Sequence, residues 1–118
     1  MPGRGPRESW VERDGLRLHV VEWGDPGAPP PALLLLHGLS SNARFWDRLA
    51  ARLPHRRLVA LDQRSHGLSD RPGEGYRTRD LVEDAAHVVA ARGLGRPVVA
   101  GHSWGAAIAL ALSAARPD

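Results

Sequence analysis

Cysteine is absent from the 118 residues, which excludes disulfides, a thiol nucleophile and thiolate metal sites. Lysine is absent too, so all 16 basic side chains are arginine. No apolar stretch approaches the roughly 20 residues that a membrane span requires. The opening residues Met1 to Arg7 carry positive charge but lead into no apolar signal core, so a cytoplasmic protein with no membrane partner is expected. What is present suits one small soluble domain: 42% of residues are hydrophobic and 25% charged.

A net charge of +3 and an isoelectric point near 10.9 raise the question of nucleic acid. The arginines, however, alternate with acids, as in Arg13–Asp14, Asp47–Arg48, Asp62–Arg64, Asp70–Arg71 and Arg79–Asp80. Arg56–Arg57 is the one adjacent pair. A binding face would show a cluster or stripe, so no nucleic-acid partner is expected.

Along the chain, Ser9 to Val11 and Leu16 to Trp23 read as two strands around Asp14-Gly15, a hairpin signal. Leu16, Leu18 and Val20 give the second strand one apolar face. The proline-rich segment from Gly24 to Pro31 is a surface loop. Ala32 to Leu36 is an unbroken apolar run, as in a strand covered on both faces. Ser40, Ser41 and Asn42 offer N-caps for a helix over 43–53, with Phe45, Trp46, Leu49 and Leu53 on one side. Leu58 to Leu61 is a second buried strand and Pro97 to Ala100 a third. Between them, Leu81, Val82, Ala85, Val88 and Val89 form a helical stripe over 78–92. Asp80, Glu83 and Asp84 sit near that helix's N-terminus, where its dipole favours acids. Ala106 to Ala115 is a last helix rich in alanine and leucine. Strands alternating with helices imply an α/β fold with a mostly parallel sheet and flanking helices.

The sharpest motif is Gly101-His102-Ser103-Trp104-Gly105, a G-x-S-x-G pattern. Its context, between a buried strand and a small-residue helix, is the setting of a nucleophile elbow. A serine on so tight a turn projects its hydroxyl from the sheet edge. Gly101 and Gly105 remove Cβ atoms that would collide with the neighbouring strand and helix. The helix start brings the Trp104 N–H close to the serine oxygen, where negative charge would develop.

Two further motifs accompany the elbow: His37-Gly38-Leu39-Ser40-Ser41 after the leucine run, and Asp62-Gln63-Arg64-Ser65-His66-Gly67-Leu68-Ser69 after the next strand. Together the three resemble the α/β-hydrolase superfamily, from about Glu8 to the end of the chain. The resemblance implies residues 1–7 as a flexible N-terminus and 8–118 as the N-terminal part of an α/β-hydrolase domain. It also implies Ser103 as nucleophile, the backbone N–H groups of Leu39 and Trp104 as an oxyanion hole, and His37, Gly38, Gly101, His102 and Gly105 as shaping residues. The third motif is similar to the family's D-x-R-G-x-G-x-S loop, with Ser65 where glycine is usual. Asp62 is structural in that pattern. Serine at 103 argues against members with an aspartate nucleophile, such as haloalkane dehalogenases and epoxide hydrolases. No cofactor or metal is implied, and the partner is a small-molecule substrate with a carboxylic ester-type bond or a related thioester, amide, lactone or carbon–carbon bond.

Several residues have plainer readings. His37 shapes its loop, and His102, preceding the serine in a tight elbow, points away from it. His66 reads as structural, and His19, His55 and His87 as surface or packing residues. No pair of histidines has metal-ligand spacing. Phe45 and Trp46 read as helix core, whereas Leu39, Leu68 and the Trp104 side chain are candidates to border a pocket. The family's acid and histidine follow the nucleophile in chain order. After Ser103 there is no histidine, and the one acid is Asp118. The sequence is therefore read as truncated after the elbow helix, with the later strands, lid, acid and histidine absent. On that reading the piece alone is expected to be inactive, and aggregation-prone through an exposed elbow strand. The alternative is a non-catalytic remnant or ligand-binding member of the fold.

Overall fold

The computed structural model describes residues 6–116. Strand β1 (Arg7–Arg13) turns through Asp14 and Gly15 into β2 (Leu16–Trp23). Both turn residues have positive φ, 50° and 82°, the conformation a two-residue hairpin loop demands. Residues 1–5 of the expected flexible N-terminus lie outside the described residues, and Arg7 already belongs to β1, where its guanidinium reaches Glu22 at 3.2 Å.

Strands β3 (Leu33–Leu36), β4 (Leu58–Leu61) and β5 (Val98–Gly101) follow, and the sheet order is β1-β2-β4-β3-β5. β3 pairs in parallel with β4 and β5, while β2 joins β4 antiparallel and extends the sheet through the hairpin. The leucine run of β3 is buried because alternate residues enter different cores. Leu34 and Leu36 pack with Val59 and Leu61 under helices α2 (Thr78–Ala91) and α3 (Trp104–Ala115). Leu35 packs on the other face with Leu58, Ala60, Ala43 and Ala50. A run without polar alternation is what a two-sided strand needs.

The helix expected over 43–53 is two pieces, a 3-10 turn (Ala43–Trp46) and α1 (Asp47–Arg52). The Ala43 N–H donates to Asp62 Oδ1 at 2.7 Å and the Arg44 N–H to Asn42 Oδ1 at 2.9 Å. The first bond ties the turn to the end of β4, and the second caps it locally. Trp46 still packs on the core, but Phe45 is turned out and is 48% exposed, contrary to the helix-core expectation.

β5 also departs from expectation. The sequence pattern predicts a buried strand, yet Val98 is 51% exposed, since β5 pairs only with β3 among the described residues. No helix among the described residues is long and apolar enough to cross a membrane.

Candidate active site

Because β3, β4 and β5 run parallel, their carboxyl ends lie on one edge of the sheet. The three sequence motifs occupy the loops that leave those ends, the usual place for ligand sites in open α/β sheets. Ser103 stands between β5 and α3 at φ 57° and ψ −118°. A positive φ at a residue with a Cβ is costly, by about 1–3 kcal/mol, and such strain collects at functional sites. The flanking glycines are sterically required. A Cβ on Gly101 would lie 2.2 Å from the Gly105 oxygen, and one on Gly105 would lie 2.1 Å from the Leu36 oxygen.

The loop after β3 approaches this turn closely. A Cβ on Gly38 would stand 3.4 Å from Ser103 Cβ and 3.2 Å from the His102 carbonyl oxygen. Among the described residues, neither the Leu39 N–H nor the Trp104 N–H donates a backbone hydrogen bond. Trp104 opens α3, so its amide carries the partial positive charge of a helix start.

His37, fully buried, is the hinge of the loop. Its Nδ1 donates to the Gly38 carbonyl at 2.7 Å, and its Nε2 accepts the Gln63 N–H at 3.0 Å. The Gln63 side-chain amide returns a bond to the His37 carbonyl at 2.8 Å. One donor and one acceptor on the ring mean a neutral imidazole. Burial pushes its pKa below the ordinary histidine value, with the Gly38 carbonyl acting in the opposite sense.

Asp62, at the end of β4, is spent on structure. Oδ1 accepts from Ala43, and Oδ2 accepts the Leu68 N–H at 3.0 Å and faces His19 Nδ1 at 2.7 Å. A Cβ on Gly67 would strike the Asp62 carboxylate at 2.2 Å. Ser65 has φ 70°, which explains why glycine suits that position. Arg64 grips Asp84 of α2 with two bonds, 2.7 and 2.8 Å long, and Arg13 adds a third at 2.8 Å.

Four relationships were not legible from sequence spacing. The sequence marks Asp84 as an acid favoured by its helix dipole, yet it is buried as the partner of two arginines. His19 was read as a surface or packing residue, and it is buried between Asp62 and Glu8, each at 2.7 Å. The His102 ring stacks on Phe45 with centroids 4.7 Å apart. His66 accepts the Ser40 N–H on Nε2 at 3.0 Å, and its ring sits 5.7 Å from that of Trp104. Arg13 and Asp84 are 71 residues apart, His19 and Asp62 43, and Ser40 and His66 26, so no local period announces these pairs.

Leu39 and Leu68 are 70% and 60% exposed at this edge. None of the hydrogen bonds made by the His37 and His66 rings reaches Ser103 among the described residues. A separate groove of about 620 Å³ lies among α2, α3 and the start of β5, lined by Val89, Pro97, Val99 and Leu112. It contains no residue of the three motif loops.

Residues 31–118 match the alpha/beta hydrolase fold family. The chain is 38% identical over 109 residues to a 2-(acetamidomethylene)succinate hydrolase of Mesorhizobium japonicum, covering 92% of this chain and 38% of that protein. It is 37% identical over 107 residues to epoxide hydrolase A of Mycobacterium tuberculosis, covering 87% and 33%. Among solved structures, a thioesterase domain from the curacin biosynthetic pathway superposes with a TM-score of 0.89 at 26% identity, over 97% of this chain and 43% of that one. The chain thus spans well under half the length of these relatives.

Proposed function

The chain belongs to the alpha/beta hydrolase fold family, and from that premise we propose that it carries the nucleophile of a hydrolase acting on carboxylic ester-type bonds, with Ser103 as the attacking residue. Thioester, amide, lactone and activated carbon–carbon bonds fall within the same chemistry. Ser103 Oγ bonds to the carbonyl carbon, and the carbonyl oxygen takes up the negative charge. The Leu39 and Trp104 N–H groups receive that oxyanion. The intermediate collapses to an acyl-enzyme as the leaving group departs with a proton, and water then releases the acid.

The observation that carries this reading is the backbone of Ser103, at φ 57° and ψ −118°, pressed against the Gly38 loop. Such a conformation suits a hydroxyl raised off the sheet edge, and in support of the reading the Leu39 and Trp104 amides make no backbone hydrogen bond among the described residues. The relatives at comparable identity include an epoxide hydrolase as well as a 2-(acetamidomethylene)succinate hydrolase, so overall similarity does not choose the bond. Serine at 103 supports an acyl donor over an epoxide, since a serine nucleophile works through an acyl-enzyme. A serine hydroxyl needs a proton acceptor, which the family resemblance places on a histidine after the nucleophile. In this proposal that histidine and its carboxylate belong to the whole protein.

The test is turnover of a panel of p-nitrophenyl esters by the whole protein and by its Ser103→Ala form. Loss of about 10³-fold or more in kcat is expected for removal of a nucleophile. Undiminished turnover in the alanine form would overturn the assignment of Ser103 as nucleophile, and a whole protein that binds esters without cleaving them would favour a ligand-binding role instead.

A further inference from the structure

We propose that His66 is a positioning residue that holds the Leu39 loop in its oxyanion-binding form, an inference that rests on the reading of Ser103, Leu39 and Trp104 given above. The loop is a turn closed by the Ser41 N–H donating to the Gly38 carbonyl at 3.2 Å, with Leu39 and Ser40 as its central residues. Ser40 has φ 64°. A positive φ at the second central position belongs to a type II turn, where glycine is preferred and serine is strained. Without support, the central peptide would relax by flipping to the type I form, in which that φ is negative. The flip would re-aim the Leu39 carbonyl and the Ser40 N–H, and disturb the turn that presents the Leu39 N–H.

His66 supplies the support. Its Nε2 lies 3.0 Å from the Ser40 nitrogen, and its Nδ1 lies 3.0 Å from the Arg64 carbonyl oxygen. An amide can only donate and a carbonyl can only accept, so these two contacts fix the ring as the neutral tautomer with its proton on Nδ1. The ring is also wedged between both sides of the site, 4.9 Å from His37 and 5.7 Å from Trp104 between centroids. The loop after β4 thereby sets the turn after β3 against the first residue of α3. The Arg64 carbonyl that orients His66 belongs to a residue anchored on buried Asp84, so the support is rigid.

The test compares His66→Leu with His66→Gln, whose side-chain carbonyl can still accept the Ser40 N–H. In the whole protein, His66→Leu is expected to lower kcat about 10- to 100-fold, less than or equal to the loss of an oxyanion donor. KM is expected to stay within about twofold, and His66→Gln to recover most of the rate. Thermal melts establish that both variants are folded. A 15N spectrum should show scalar coupling across the Ser40 N–H···Nε2 His66 bond. A missing coupling, or wild-type kcat in folded His66→Leu, overturns the proposal. Unimpaired turnover in Ser103→Ala would instead overturn the nucleophile reading, and it would do so whether or not the coupling is seen.

Discussion

Gly105 and Leu36 touch backbone to backbone: a Cβ on Gly105 would lie 2.1 Å from the Leu36 carbonyl oxygen. Alanine normally stabilises a helix relative to glycine, by about 1 kcal/mol. Here Gly105→Ala is expected to destabilise the protein by about 3 kcal/mol, because neither backbone can move aside. Gly73→Ala, with open space around its Cβ, is the control and should change little. Urea unfolding midpoints of the two variants give the comparison, and the reversal of sign at Gly105 is the diagnostic result.

Asp84 holds two arginines in the core side of α2, and its side chain is 1% exposed. Removing it strands Arg64, itself only 8% exposed, without a counter-charge. Asp84→Ala should cost about 3–5 kcal/mol, as expected when one partner of a buried pair is deleted. Arg116–Glu83 makes a similar contact at the surface. Glu83→Ala should cost less than about 1 kcal/mol.

His37 gives the protein an acid-sensitive joint. Burial holds its folded pKa below the unfolded value of about 6.5. Its contribution to stability is therefore complete above about pH 6.5 and is lost as pH falls below that value. The slope attributable to this one proton is at most about 1.4 kcal/mol per pH unit. Chemical unfolding at a series of pH values between 7.5 and 5 measures it. His37→Asn should remove that component of the slope, while costing about 1–3 kcal/mol at pH 7.5 through the orphaned Gln63 N–H.

Ser65 occupies a left-handed backbone position, φ 70°. Ser65→Gly should raise stability by about 1 kcal/mol, since the strain of an L-residue there is relieved. Its hydroxyl contact with the Tyr76 hydroxyl is exposed and offsets little of that gain. A higher thermal midpoint checks the expectation.

Much of this architecture could be read from the chain alone. The leucine run, the Asp14-Gly15 turn and the G-x-S-x-G motif each combine a local pattern with a strong backbone consequence, and the structure places strands and turns at those positions. The elbow glycines are legible from the motif, since so tight a turn packs against its own helix and the neighbouring strand: a Cβ on Gly101 would meet Gly105, and one on Gly105 would meet Leu36 of β3. The rest depends on distant pairs. Asp84 lies in the first two turns of a helix and looks like a dipole-favoured acid until Arg13 and Arg64 are brought to it. Phe45 fits a helical stripe until Asp62 tightens the first turn into a 3-10 helix. His66 resembles any loop histidine until its ring is found under Ser40.

Covalent labelling of the whole protein with a fluorophosphonate, followed by mass spectrometry of the peptide that contains Ser103, tests directly whether Ser103 is an activated nucleophile. A phosphonyl adduct is expected on Ser103, absent in Ser103→Ala and formed more slowly in His66→Leu. Ester hydrolysis by a protein whose Ser103 remains unlabelled, or an adduct formed on a different residue, would contradict that role for Ser103.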